Sequence, residues 1–141
     1  LMMRNLLFPI LSVCLFGSCN VNSGPKFYNC TSEEDANLAV DIILGTMDGA
    51  PEIVQRLDVF CKDRRPYPKT ECYVGRYGND LDRAAIYVHD MYVGECIIHE
   101  MYHADLAVLR GYSCNEHSEE CGWDWDYLEE RLDMYQDLRK K

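Results

Sequence analysis

Basic residues are scarce in this chain: 14 Lys+Arg stand against 24 Asp+Glu, for a formal net charge of −10. Such a surface repels phosphate backbones, which excludes nucleic acid as an expected partner, and it gains nothing from anionic membrane surfaces. Long apolar runs are missing too. The N-terminal run Leu6–Phe16 falls short of the roughly twenty residues an ordinary span needs. There is no internal repeat and no low-complexity segment, so 141 residues suit one domain. Histidine is scarce, with four residues, at 89, 99, 103 and 117.

What is present begins with a leader. Arg4, the apolar run and the small residues Gly17 and Ser18 are the parts of a secretory signal over residues 1–18. A buried helix fits less well, because Pro9 would interrupt it. Phe16-Gly17-Ser18-Cys19 resembles a bacterial lipobox, which implies lipid attachment at Cys19. Phe16 stands where that pattern usually has leucine. Export at the cell envelope, facing the periplasm through a lipid anchor, is the expected localisation. Residues 19–30 read as a polar tether rich in turn formers, and 31–141 as the folded domain.

Six cysteines remain beyond Cys14 and Cys19: Cys30, Cys61, Cys72, Cys96, Cys114 and Cys121. An even number in a small exported domain points to disulfides, with the pairing open. Thr31 and Glu34 make a capping box. Ala36, Ala39, Val40, Ile43, Leu44 and Met47 follow at helical spacing. Alternation from Leu57 to Cys61 suits a strand, and 71–77 and 83–89 are rich in strand formers. Gly78–Asp82 reads as a hairpin turn between them. A helix is predicted from about Asp90–Tyr92 to Arg110, stopped by Gly111. An acidic helix with a basic end closes the chain. The expected class is α+β: an N-terminal helix, a short, mostly antiparallel sheet, a central helix and a C-terminal helix.

The central helix carries His99-Glu100-Met101-Tyr102-His103, an HExxH. Residues four apart share a helix face, so His99 and His103 project together and can grip one ion. Glu100 sits about 100° round the wheel and can reach a water on that ion. Ile97, Met101, Ala104 and Val108 form an apolar back. Imidazole suits Zn²⁺, which activates water and polarises a carbonyl, with Glu100 as general base. A solvated helix face would also tolerate these residues. The clustering of three of four histidines in and near the motif favours metal.

Ile97–Ala104, IIHEMYHA, resembles the active-site helix of zincin metallopeptidases, though Asp105 stands where that pattern has an apolar residue. The resemblance implies a zincin-like fold, a catalytic Zn²⁺ and a peptide or protein substrate. It also implies that the strand before the helix, residues 85–88, binds substrate in extended form.

Two histidines need a third ligand. The metzincin pattern fails, since Leu106 and Leu109 stand where its glycine and third histidine would be. The gluzincin pattern fits better, because Glu120 and Asp124 have its E-x-x-x-D spacing. That implies Glu120 on the metal and Asp124 supporting a ligand histidine, with Glu119 and His117 as the next candidates. Gly122 disfavours the helix this spacing requires. A disulfide between Cys114 and Cys121 would pin this segment. Cys96 lies on the ligand face, and as a free thiol it could block the metal.

The expected function is zinc-dependent hydrolysis of peptide or amide bonds at the cell envelope. The alternative is a non-catalytic, disulfide-stabilised envelope or prophage lipoprotein that acts as a binding module.

Overall fold

The structure is a computed structural model, and it describes residues 24–61, 72–76, 84–111 and 116–141. The leader, Cys19, the 62–70 loop and the Gly78–Asp82 turn lie outside the described residues. In chain order the elements are β1 (Lys26–Tyr28), α1 (Glu33–Thr46), α2 (Ala50–Val54), β2 (Leu57–Cys61), β3 (Cys72–Arg76) and β4 (Ala84–Val88). Helix α3 (Val93–Arg110) and helix α4 (Trp125–Arg139) follow. A 3₁₀ turn at Asp90–Tyr92 leads into α3, and another at Glu119–Cys121 precedes α4.

The fold is α+β, but the sheet is not mostly antiparallel. Its order is β1-β2-β4-β3. The β1–β2 and β2–β4 pairs are parallel, and only β3–β4 is antiparallel. The reason lies in the connections. The link from β1 to β2 runs through α1 and α2, and a helical crossover of that length returns the chain in the same direction. Local turn signals reveal only the β3–β4 pair. Strand β1 also falls inside the expected tether, so the folded domain starts earlier than residue 31. Strand β4 pairs on both sides, which removes residues 85–88 as an edge for an extended substrate. Among the described strands the edges are β1 and β3.

One sheet face is apolar. Leu57, Val59, Cys61, Ile86 and Val88 are buried, and α3 packs on β3 and β4 while also touching α1 and α4. On the other face the register aligns Tyr28, Phe60 and Tyr87, whose rings stack with centroids 4.8 and 5.1 Å apart.

Several contacts fix where α3 starts and how it sits. The cap of α1 is Ser32 rather than Thr31, its hydroxyl accepting from the Asp35 N–H at 3.2 Å. Thr31 turns instead to Asp90, donating from its N–H at 2.8 Å and from its hydroxyl. The Cys30–Cys61 disulfide joins the same corner to β2. Asp105, the residue at odds with the zincin pattern, is fully buried and accepts from the Gly49 N–H at 2.7 Å. Its charge therefore serves the turn after α1 rather than the solvent. The Thr46 carbonyl at the end of α1 accepts from Tyr127 Oη at 3.1 Å and Arg131 Nη2 at 3.2 Å, which binds α4 to α1.

Candidate metal centre

Helix α3 ends at Gly111, whose φ of 70° is the left-handed stop that glycine supplies without strain. Ile97, Met101 and Ala104 are buried behind the helix, as its apolar stripe requires. Its other side presents His99 and His103, both half-buried, with ring centroids 5.1 Å apart. Glu100 is buried at 5% exposure.

The third imidazole comes from the segment before α4. His117 Nε2 lies 3.0 Å from His99 Nε2 and 3.0 Å from His103 Nε2. The gluzincin-like expectation for Glu120 is therefore corrected: its exposed carboxylate lies outside the three-histidine cluster. Asp124 is corrected as well. Its side chain caps α4, accepting from the N–H groups of Asp126 at 3.0 Å and Tyr127 at 3.3 Å. The physical reason is Gly122. The E-x-x-x-D spacing puts both acids on one face only if a single helix runs through them. The backbone instead turns left-handed at Gly122, with φ of 76°, and separates a 3₁₀ turn from α4. The signal for His117 was the scarcity of histidine, and it outweighs a spacing rule that presumes helix.

Helix α3 itself holds this segment in place. The Asp124 N–H donates to Tyr102 Oη at 3.0 Å, and Tyr102 Oη reaches the Gly122 carbonyl at 3.5 Å. The Ser118 carbonyl accepts from the N–H groups of Cys121 and Trp123, each at 3.0 Å. Trp123 is buried and touches all three imidazoles, with centroids 5.2 Å from His99, 4.5 Å from His103 and 4.5 Å from His117. Cys96 and Cys121 are both disulfide-bonded, so Cys96 is not a thiol that could block the site.

Comparisons with protein-family models, with curated proteins and with solved structures each found no match. The donors themselves point to a metal.

Two nitrogens on one tetrahedral zinc, each about 2.0–2.1 Å away, stand about 3.3 Å apart. The observed 3.0 Å separations lie within a few tenths of that figure. Hydrogen bonding alone satisfies the cluster poorly. His117 Nε2 offers one proton or one lone pair, yet it faces two nitrogens. A cation shared by three lone pairs resolves this. Burial, and then the neighbouring His117, push the His99 pKa down to about 4. Burial, then His99 and His117, do the same for His103, also to about 4. Both are thus neutral near pH 7, as ligands must be. Burial pushes Glu100 up to about 7, which suits a group that takes and returns a proton near neutrality. A second set, Cys30, Cys61 and Asp90, also converges, but its two sulfurs are joined in the disulfide.

Proposed function

We propose that this chain is a zinc-dependent, zincin-like hydrolase of peptide or amide bonds, exported to the cell envelope and held there by lipid at Cys19. The observation that carries the catalytic reading is the convergence of three Nε2 atoms, with His117 at 3.0 Å from both histidines of the HExxH. His99, His103 and His117 would hold the ion, which when bound supplies Lewis-acid polarisation and lowers the pKa of water. The chain's own part falls to Glu100. Buried on the ligand helix, its carboxylate takes a proton from the attacking water and delivers it to the leaving amine. Trp123 backs the three imidazoles and keeps bulk water from one side of them.

The test is metal analysis of the purified chain beside a Glu100→Gln variant. Near-stoichiometric zinc in both, with peptide cleavage in the parent alone, is the expected result. Absence of zinc from the oxidised protein would overturn the enzyme reading. Zinc with no turnover across a peptide mixture would favour a binding module.

A further inference from the structure

A cleft of about 530 Å³ opens beside the histidines, lined by Glu119, Trp123, Asp124, Trp125 and Asp126. Trp123 belongs to both places, since the same ring packs on the three imidazoles. Trp125 stands edge to face with it, centroids 5.5 Å apart, and lies 5.7 Å from His117. A group seated in this cleft therefore sits one residue's reach from the ligand cluster.

The lining has a definite chemistry. Three of its five residues are acidic, none is basic, and the other two are the only tryptophans of the chain. Trp125 leaves half of its surface open, at 52% exposure. The indole N–H of Trp123 is buried and finds no hydrogen-bond acceptor among the described residues. The N-terminus of α4 opposes a cation with about half a positive charge. Three carboxylates outweigh it, and Asp124 already answers that terminus by capping it. Tryptophan faces attract ammonium and guanidinium groups better than any other side chain does.

Resting on the hydrolase reading, we propose that this cleft is a specificity subsite for a cationic side chain, lysine or arginine, next to the scissile bond. The aromatic faces hold the aliphatic stem, and Glu119 and Asp126 hold the charge.

The test uses acetyl-Ala-Lys-Ala-amide and its Leu and Glu counterparts, titrated into the full-length chain with and without zinc. Both tryptophans line the cleft, so intrinsic tryptophan fluorescence reports its occupancy. The lysine peptide should bind about tenfold more tightly than the leucine peptide, and more tightly still than the glutamate one. Added salt should shrink the preference. Glu119→Gln with Asp126→Asn, both exposed positions, should abolish the preference while the circular dichroism spectrum and zinc content stay unchanged. Trp125→Ala should weaken lysine binding several-fold. Equal binding of the three peptides, a preference for glutamate, or a preference that survives the double variant would each overturn the subsite. Cleavage is scored separately. Selective binding without cleavage removes the hydrolase and leaves the subsite, whereas cleavage indifferent to lysine does the reverse.

Discussion

Helix α3 and the turn from His117 to Trp123 deliver the same kind of side chain, an imidazole, by different means. The helix places His99 and His103 by its own repeat, with the apolar back at Ile97 and Met101 seated in the core. The turn has no repeat to rely on. His117 is exposed, and its position depends on contacts made by others: Tyr102 on the backbone of Gly122 and Asp124, the disulfide at Cys121, and the ring of Trp123. The helical half of the site is therefore rigid to the extent that the fold is rigid. The turn half is rigid only to the extent that a few named contacts hold. Substitutions that unseat the helix should cost global stability, while those in the turn should cost metal affinity first.

The largest effect is expected where the helix is seated. At Gly94 an added Cβ would clash with the hydroxyl end of the Tyr135 side chain, which is itself fully buried in the α3–α4 contact. Overpacking of this kind costs about 1–3 kcal/mol, and rigid surroundings put Gly94→Ala at the upper end, about 3 kcal/mol. Urea denaturation of the metal-free chain would measure it, and a loss under about 0.5 kcal/mol would show that the two helices part easily. Next in size is the turn's own ligand. His117→Ala should weaken zinc binding by at least the roughly hundredfold that marks the upper end for an outer-shell partner. Glu120→Gln should leave it unchanged. Chelator competition decides between them, and the opposite ranking would restore the gluzincin-like set.

How much of this was legible in the sequence follows the same division. The i,i+4 histidines, the stop at Gly111 and the strands at 57–61, 72–76 and 84–88 follow from local periodicity and turn chemistry, and they stand where expected. What depended on distant partners was not legible. Parallel pairing of β1 with β2 is set by a crossover of two helices, and no residue in either strand announces it. Asp105 looked like a flaw in an apolar pattern because its partner, the Gly49 N–H, lies far back in the chain. Glu120 and Asp124 looked like a pair because the spacing rule assumes the helix that Gly122 breaks. His117 was visible as a candidate, but only packing could rank it first.

Acid should act on the helical half. The folded chain holds His99 and His103 at a pKa of about 4, against the ordinary 6.5 of an imidazole in the unfolded chain. Below about pH 6.5 the unfolded chain therefore takes up protons that the folded one refuses, and stability falls as pH drops towards 4. The contribution is present above pH 6.5 and lost below it. Both rings are half-exposed, so solvent screening keeps it smaller than the effect at Gly94. Thermal melts of the metal-free chain between pH 7 and 4.5 measure it. Replacing both histidines with glutamine should remove that loss and leave the opposite, smaller trend from Glu100, whose folded pKa of about 7 favours the folded chain as pH falls, and an unchanged slope would place the acid sensitivity elsewhere.

The smallest expected effect tests the link between the two halves. Tyr102 belongs to α3, yet its hydroxyl serves the turn, accepting from the Asp124 N–H at 3.0 Å. Tyr102→Phe keeps the ring that packs against Trp123 and Tyr127, with centroids 4.5 and 4.7 Å away, and removes only that oxygen. Loss of one such bond costs about 1 kcal/mol of stability. If the hydroxyl positions His117, zinc affinity should also fall by about tenfold, the lower end for a partner one shell out. If the ring alone does the positioning, stability should drop with no change in affinity. Zinc titration beside a melt of the same variant separates the two, and an affinity loss confined to the turn would show that α3 governs the third ligand as well as its own two.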